Sequence, residues 1–149
     1  MLLIVFISTT LAVKANKNFS IAVELENDTL NLSDTNLSRV YDDSYYYFWT
    51  KAIITNQTTS SQKLTIWVCG GFNFEVKSDT VQSALACLKN FPKVIWLQPK
   101  EAHKVRIPLR FRKDYAGDRL KFRIKYRDIT AGWSAFATVK IRRQLEKVK

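Results

Sequence analysis

The chain of 149 residues carries 24 Lys and Arg against 13 Asp and Glu, a formal net charge of +11. This length accommodates one compact domain. With 46% hydrophobic and 25% charged residues, the composition excludes a disordered or collagen-like chain. One histidine and two cysteines are too few for most zinc sites, which need four Cys or His ligands. We therefore expect no metal and no cofactor.

The amino-terminal segment, residues 1–12, is apolar and is followed by small residues at Val13 and Ala15. This pattern is typical of an export signal cleaved after Ala15, although no Lys or Arg precedes it. The run is shorter than the roughly 20 apolar residues that cross a bilayer. We therefore predict a signal peptide over 1–15, one exported domain over 16–149 and no transmembrane segment. Export means the periplasm, the cell envelope or the extracellular space; a buried first strand is the alternative.

The two cysteines, Cys69 and Cys87, form an even pair in a chain predicted to be exported, which favours a disulfide. The enclosed loop of about 18 residues would stabilise the fold by roughly 3 kcal/mol. Two buried free thiols are the alternative. In a eukaryotic or viral protein, Asn-x-Ser/Thr sequons could carry glycans, and otherwise they are polar loop residues. They begin at Asn18, Asn27, Asn31, Asn36 and Asn56.

Apolar and polar residues alternate with period two along most of the chain, which predicts strands. In chain order the predicted strands are 20–26, 45–56, 63–69, 93–97, 104–112, 119–127 and 133–142, with a further short strand near 30–32.

Two features of this pattern modify the strand assignment. Ser78 and Asp79 are typical helix-capping residues and precede apolar residues at helical spacing, which predicts a short helix over 78–88. Pro108 lacks a backbone donor, so strand 104–112 is predicted to be an edge strand or to carry a break.

Short strands separated by turns predict an all-β fold, a two-sheet Greek-key sandwich of about seven strands with one short helix. The segment 95–101, Ile-Trp-Leu-Gln-Pro-Lys-Glu, resembles the element of aliphatic residue, Leu, Pro, turn and Glu in bacterial immunoglobulin-like and fibronectin-III-like modules. Segment 54–66 resembles their paired strands, and Gly117-Asp118 is similar to the turn before their penultimate strand. The resemblance covers most of 45–142 and implies an immunoglobulin-like fold but no function.

Residues able to carry catalysis are sparse. His103 is predicted to be exposed in a turn, and the neighbouring carboxylates, Asp42 with Asp43 and Glu24 with Glu26, are predicted to be structural. No nucleophile elbow and no phosphate-binding glycine loop occur in the sequence. We therefore predict a protein that is not an enzyme.

Charge is distributed unevenly between the two halves of the chain. Residues 89–149 contain 18 Lys and Arg and five acids, a net charge of +13, whereas residues 16–88 contain five basic and eight acidic residues, a net charge of −3. The carboxy-terminal strands therefore carry the positive charge of the molecule.

Alternation places the cations of the last two strands on one water-facing side, and an immunoglobulin-like topology would make those strands neighbours. Like charges opposite each other cost a few tenths of a kcal/mol per pair. Because an anionic partner would offset that cost, we predict binding of an anionic polysaccharide, a lipid phosphate or an acidic protein, whereas export argues against nucleic acid. A solvated face that discourages association is the alternative. The candidate residues are Lys121, Arg123, Lys125, Lys140 and Arg142, with Trp67 as a candidate for the same face.

Other surfaces offer further functions. If Phe48, Ala52 and Ile54 point inward, Tyr45, Tyr47 and Trp49 form an outward row that could stack on sugars, which would make the chain a glycan-binding module. A central strand covered on both sides is the alternative. Trp133 is either an anchor at a loop tip or a cap on one end of the fold. An enzyme inhibitor presenting loop 129–134 or 112–118 is a third reading.

Overall fold

The computed structural model describes residues 18–32, 42–67, 73–84 and 91–143, and none of these is in an α-helix. The predicted all-β class is confirmed. The predicted signal peptide and the pair Cys69 and Cys87 lie outside the described residues. The strands are β1 (Phe19–Leu25), β2 (Thr29–Asn31), β3 (Tyr45–Asn56), β4 (Gln62–Trp67), β5 (Phe74–Lys77), β6 (Val81–Ser83), β7 (Pro92–Leu97), β8 (Ala102–Arg112), β9 (Arg119–Tyr126) and β10 (Ala137–Arg142).

The strands form two four-stranded sheets and one two-stranded pair. The first sheet has the order β1-β3-β8-β6 and is called the β3–β8 sheet; the second has the order β2-β10-β9-β5 and is called the β9–β10 sheet. Strands β4 and β7 pair only with each other among the described residues. The neighbouring strands are antiparallel, except that β2 and β10 are parallel.

Both four-stranded sheets contribute to one hydrophobic core. On β9, alternate residues from Leu120 to Tyr126 are buried, as the period-two pattern predicts. Phe48 on β3 meets Phe122 on β9 edge-on, with 6.0 Å between the ring centroids. This contact joins the two sheets through their inner faces, so the side chains of opposite parity on each sheet face water.

The predicted helix over 78–88 is wrong where the structure describes it, because Val81–Ser83 forms β6 and pairs with β8. The hydroxyl of Ser78 accepts the backbone N–H groups of Thr80 and Val81, at 3.2 and 3.0 Å. The same bonds begin a turn as readily as a helix. Here the turn leads into a strand that buries Val81 against the core.

The prediction that Pro108 marks an edge or a break is confirmed only in part. Strand β8 is continuous and lies between β3 and β6, but β6 pairs with residues 109–111 alone, so residues 102–107 have only β3 as a strand neighbour among the described residues. The carbonyl of Pro108 accepts the N–H of Ala84 at 3.0 Å. In a strand the nitrogen and carbonyl of one residue point to the same side. The missing donor therefore faces the side of β6, just where β6 ends, and pairing with β3 is unaffected.

The strand boundaries differ from the prediction in two places that matter for function. Strand β5 was not predicted, and the last strand begins at Ala137 rather than at 133. Residues 133–136 therefore belong to the connection between β9 and β10.

Candidate functional site

Strands β9 and β10 lie side by side, as the sequence predicts. Strand β10 pairs with β9 so that Lys140 is opposite Arg119 and Thr138 is opposite Lys121. Because Leu120 and Val139 are buried between these positions, the cations are on the water-facing side of the sheet.

A third strand extends this patch. Strand β5 pairs with β9 and places Lys77 opposite Arg123. Two pairs of like charges, Lys77 with Arg123 and Arg119 with Lys140, are thus directly opposed, which destabilises a sheet. We call this surface the basic face. Its members are Lys77, Arg119, Lys121, Arg123, Lys125, Lys140 and Arg142.

Carboxylates do not neutralise most of the basic face. Within the described ranges, only Arg119 of this set has a carboxylate within 4.0 Å, that of Asp118 at 3.9 Å. Glu75, which is opposite Lys125 on β5, instead pairs with Arg127 at 3.2 Å. The positive charge of the face is therefore available to a partner.

The outward side of the β3–β8 sheet is different, because its cations other than Arg110 have acidic partners. The carboxylate of Glu24 accepts from Lys104 at 2.6 Å and from Lys51 at 3.3 Å. Arg106 donates two hydrogen bonds to Glu26, at 2.7 and 3.0 Å. The hydrogen bonds from Lys104 and Lys51 lower the pKa of Glu24. Most cations on this side are therefore paired with carboxylates, whereas most cations of the basic face are not.

Two aromatic rings lie on the basic face. The guanidinium carbon of Arg123 is 5.2 Å from the ring centroid of Trp133 and 5.0 Å from that of Phe136, and Lys121 Nζ is 4.7 Å from the Phe136 ring. The Nε of Arg123 is buried without a hydrogen-bond partner. Cation–π contact with the rings stabilises this guanidinium where no acceptor does.

The segment that carries these rings is tied to β9. The N–H of Ser134 donates to the carbonyl of Ile124 at 2.8 Å, and the Ser134 hydroxyl accepts the N–H of Ile124 at 3.0 Å. Trp133 therefore belongs to the basic face rather than to a free loop tip. Phe136 was missed in the sequence, although it has the parity of the outward residues Lys140 and Arg142.

Trp67 does not join the cations of the basic face. It lies on β4, and its indole N–H donates to the carboxylate of Asp128 at 3.1 Å, just beyond the end of β9. Sequence parity along β4 does not reveal that β4 pairs with β7 instead of entering the β9–β10 sheet.

The aromatic row on β3 is on the outward side, as predicted, since Phe48, Ala52 and Ile54 are buried. Arginines of β8 cover it: Arg106 is 4.4 Å above the ring of Trp49, and Arg110 is 4.3 Å above that of Tyr45. Tyr47 is only 5% exposed. The row therefore offers little free ring surface for a sugar.

The loop 112–118, one of the two loops that an inhibitor would present, is held against the body of the protein. Arg112 forms an ion pair with Asp114 at 2.6 Å, and Arg143 donates to the carbonyls of Tyr115 and Gly117. Because these contacts use backbone carbonyls of the loop, fewer of its backbone groups are free to bind an enzyme.

His103 is on β8 and half-buried, so its predicted position in an exposed turn is wrong. Burial and the nearby charge of Lys93 lower its pKa. In the part of the chain that the structure covers, no three His, Cys, Asp or Glu residues are grouped to hold a metal. No helix there is long and apolar enough to cross a membrane.

No protein-family model matches the chain, and no curated protein matches it. Among solved structures, a FixG-related protein from Vibrio parahaemolyticus is similar at 11% sequence identity, with a TM-score of 0.46 over 87% of this chain and 99% of that chain.

Proposed function

We propose that the chain is an exported, non-catalytic binding or assembly module of immunoglobulin-like fold that docks an anionic component of the cell envelope on the basic face. The observation that carries the proposal is the contrast between the two outward sides. Lys51 and Arg106 oppose each other on the β3–β8 side and are paired with Glu24 and Glu26. On the basic face, Lys77 opposes Arg123 and Lys140 opposes Arg119, and of these four only Arg119 has a carboxylate within 4.0 Å among the described residues. An anionic ligand would relieve that repulsion.

The strand order supports the immunoglobulin-like fold of the proposal. The order β1-β3-β8-β6 corresponds to strands A, B, E and D of such domains, and β10-β9-β5 to strands G, F and C. In this assignment the basic face is the outward side of the G, F and C strands.

We propose that the protein is exported because the apolar segment 1–12 has the length of an export signal. In that compartment the available polyanions are acidic polysaccharides and lipid phosphates. At physiological salt the Debye length is about 8 Å, so the charges act at contact range. Binding should therefore weaken steeply as salt is raised.

The test compares binding of the full chain to dextran sulfate and to anionic lipid vesicles across a range of salt concentrations. In one variant Lys125, Lys140 and Arg142 are changed to Gln. These side chains make no hydrogen bond or ion pair among the described residues, so the change removes charge and leaves packing intact. The control changes Lys63, Lys93 and Lys100 to Gln, which alters net charge equally elsewhere on the surface.

We expect the basic-face variant to bind the polyanion about tenfold more weakly at low salt and with a shallower dependence on salt. The control variant should stay close to the wild type. Equal affinities for the two variants would contradict the proposal. If the chain captured an acidic protein but bound neither dextran sulfate nor vesicles, the result would contradict an anionic polymer or lipid as the partner and would indicate an acidic protein instead.

A further inference from the structure

A groove of about 900 Å³ follows β5 at the border of the basic face. Its volume is within the range of small-molecule sites, roughly 300 to 1,000 Å³. One part of its wall comes from the basic face and the β9–β10 connection, with Lys77, Lys121, Trp133 and Phe136. The other part is polar and comes from the turn before β6, with Ser78 and Asp79 among its residues.

The aromatic part of the wall is held by contacts within the protein. Phe136 is 49% exposed, although it is in contact with both Arg123 and Lys121. Ser134 holds the segment against β9 through two hydrogen bonds. A ring that is fixed and still half open can take the apolar face of a flat ligand at little cost in conformational entropy.

The charged part of the wall favours a ligand with isolated negative groups. Lys77 is opposite Arg123, so it and Lys121 are diagonal neighbours about 7 Å apart. Neither has a carboxylate partner among the described residues. Asp79 lines the same groove and would repel a continuous polyanion such as polyphosphate. Its carboxylate would instead accept hydrogen bonds from hydroxyl groups.

We infer that this groove binds an acidic sugar chain, with one pyranose ring stacked on Phe136, its carboxylate near Lys77 and Lys121, and hydroxyl groups donating to Asp79. A ligand with an apolar ring face, hydroxyl donors and one negative charge per ring would match the Phe136 ring, the two lysines and Asp79 together. This inference rests on the proposed function, because the groove takes part of its charge from the basic face, and it narrows the ligand to carboxylated saccharides.

The experiment measures binding of a galacturonate tetramer to the full chain by calorimetry, with tryptophan fluorescence as a second signal because Trp133 lines the groove. Maltotetraose serves as the neutral ligand and polyphosphate as the continuous polyanion. The variants are Phe136→Ala, which keeps every charge, and Lys77→Gln. The matched control is Phe91→Ala, since Phe91 is 58% exposed and does not line the groove.

We expect Phe136→Ala and Lys77→Gln each to weaken binding of the galacturonate tetramer about tenfold. Phe91→Ala should have no effect, and maltotetraose should bind the wild type more weakly than the acidic tetramer. Circular dichroism and thermal unfolding verify that each variant folds. Unchanged tetramer binding in a folded Phe136→Ala variant, or equal affinity for maltotetraose, overturns the inference.

The outcomes also separate this inference from the proposed function. In one outcome, dextran sulfate binding depends on Lys125, Lys140 and Arg142, and the tetramer does not bind. This outcome contradicts the saccharide site in the groove and supports the proposed function of the basic face. In the other outcome, tetramer binding depends on Phe136, and dextran sulfate binds the basic-face variant as tightly as the wild type. This outcome contradicts the proposed function of the basic face and supports the saccharide site.

Discussion

Single carboxylates decide which cations of this molecule are neutralised. Glu24 accepts from two lysines on two different strands, and Glu26 takes both donors of one arginine. Asp128 is used by the indole of Trp67 and by the side-chain amide of Asn73. None of these acids reaches Lys121, Arg123 or Lys125. The free charge of the basic face is thus a consequence of where a few acidic residues lie.

The pairing of Glu24 predicts a dependence of stability on pH. Its pKa in the folded protein lies below the ordinary value of 4.5, because Lys104 and Lys51 donate to its charged form. The unfolded chain takes up the proton at a higher pH than the folded chain does. The stabilisation is therefore present above about pH 4.5 and is lost as pH falls through the folded pKa.

Thermal unfolding between about pH 6 and pH 3 checks this prediction. The melting temperature of the wild type should fall with acidification more than that of Glu24→Gln. Asp114, whose pKa Arg112 lowers, contributes to both proteins alike. Parallel curves for the two proteins would show that the Glu24 pairs add nothing to stability.

At the scale of elements, the pairing of β9 with β10 and β5 brings together charges that repel each other. Arg119 is opposite Lys140, and Lys77 is opposite Arg123. The same strands bury Leu120, Phe122 and Ile124 completely, so the core side holds them in this register. A register shift of one residue would move these apolar side chains into water and the cations into the core, so burial of the apolar side chains fixes the register.

Changing Lys140 to Glu should stabilise the protein and weaken its binding. A carboxylate opposite Arg119 replaces repulsion with attraction, which should raise the free energy of unfolding by about 0.5 kcal/mol at low salt. Affinity for dextran sulfate should fall. Urea unfolding and the binding assay measure the two effects.

The matched control is Lys104→Glu, which places the same charge change on the β3–β8 sheet. It should destabilise the protein, because Lys104 donates to Glu24 at 2.6 Å. If Lys140→Glu destabilised the protein as Lys104→Glu does, repulsion across β9 and β10 would not be a feature of the fold.

At the scale of the whole molecule, both four-stranded sheets depend on one core. The rings of Phe48 and Phe122 meet between them, and Phe48 also contacts Phe111 at 6.2 Å. A surface presented by one sheet is therefore only as stable as the contact with the other. The β9–β10 sheet, which carries the basic face, and the β3–β8 sheet should therefore unfold in the same transition.

Phe122→Ala should destabilise the protein by about 3–5 kcal/mol, because the side chain is fully buried and leaves a cavity. Far-UV circular dichroism and tryptophan fluorescence should still give one coincident transition. Phe91→Ala, at a position 58% exposed, should change stability by less than about 0.5 kcal/mol. Separate midpoints for the two signals would mean that the sheets unfold independently.

Local chemistry was enough to predict some of the site. Arg119 to Tyr126 alternates so regularly that its outward cations follow from strand geometry alone. The turn of Ser78 was misassigned because a hydroxyl that caps a helix also begins a turn, and pairing with Phe111 decided between them. Phe136 was missed because the connection to β10 does not have to continue the strand, and only its contact with Arg123 brings it onto the face.

The sequence by itself determined eight of the ten strands, all but β5 and β6, together with the excess of positive charge in the carboxy-terminal half. Only the tertiary structure decided that Glu24 neutralises Lys104, 80 residues away, and that Lys77, Trp133 and Phe136 join the cations of β9. Period two is imposed by the local geometry of an extended backbone. Which strands become neighbours depends on burial shared between distant segments, and no local pattern records it.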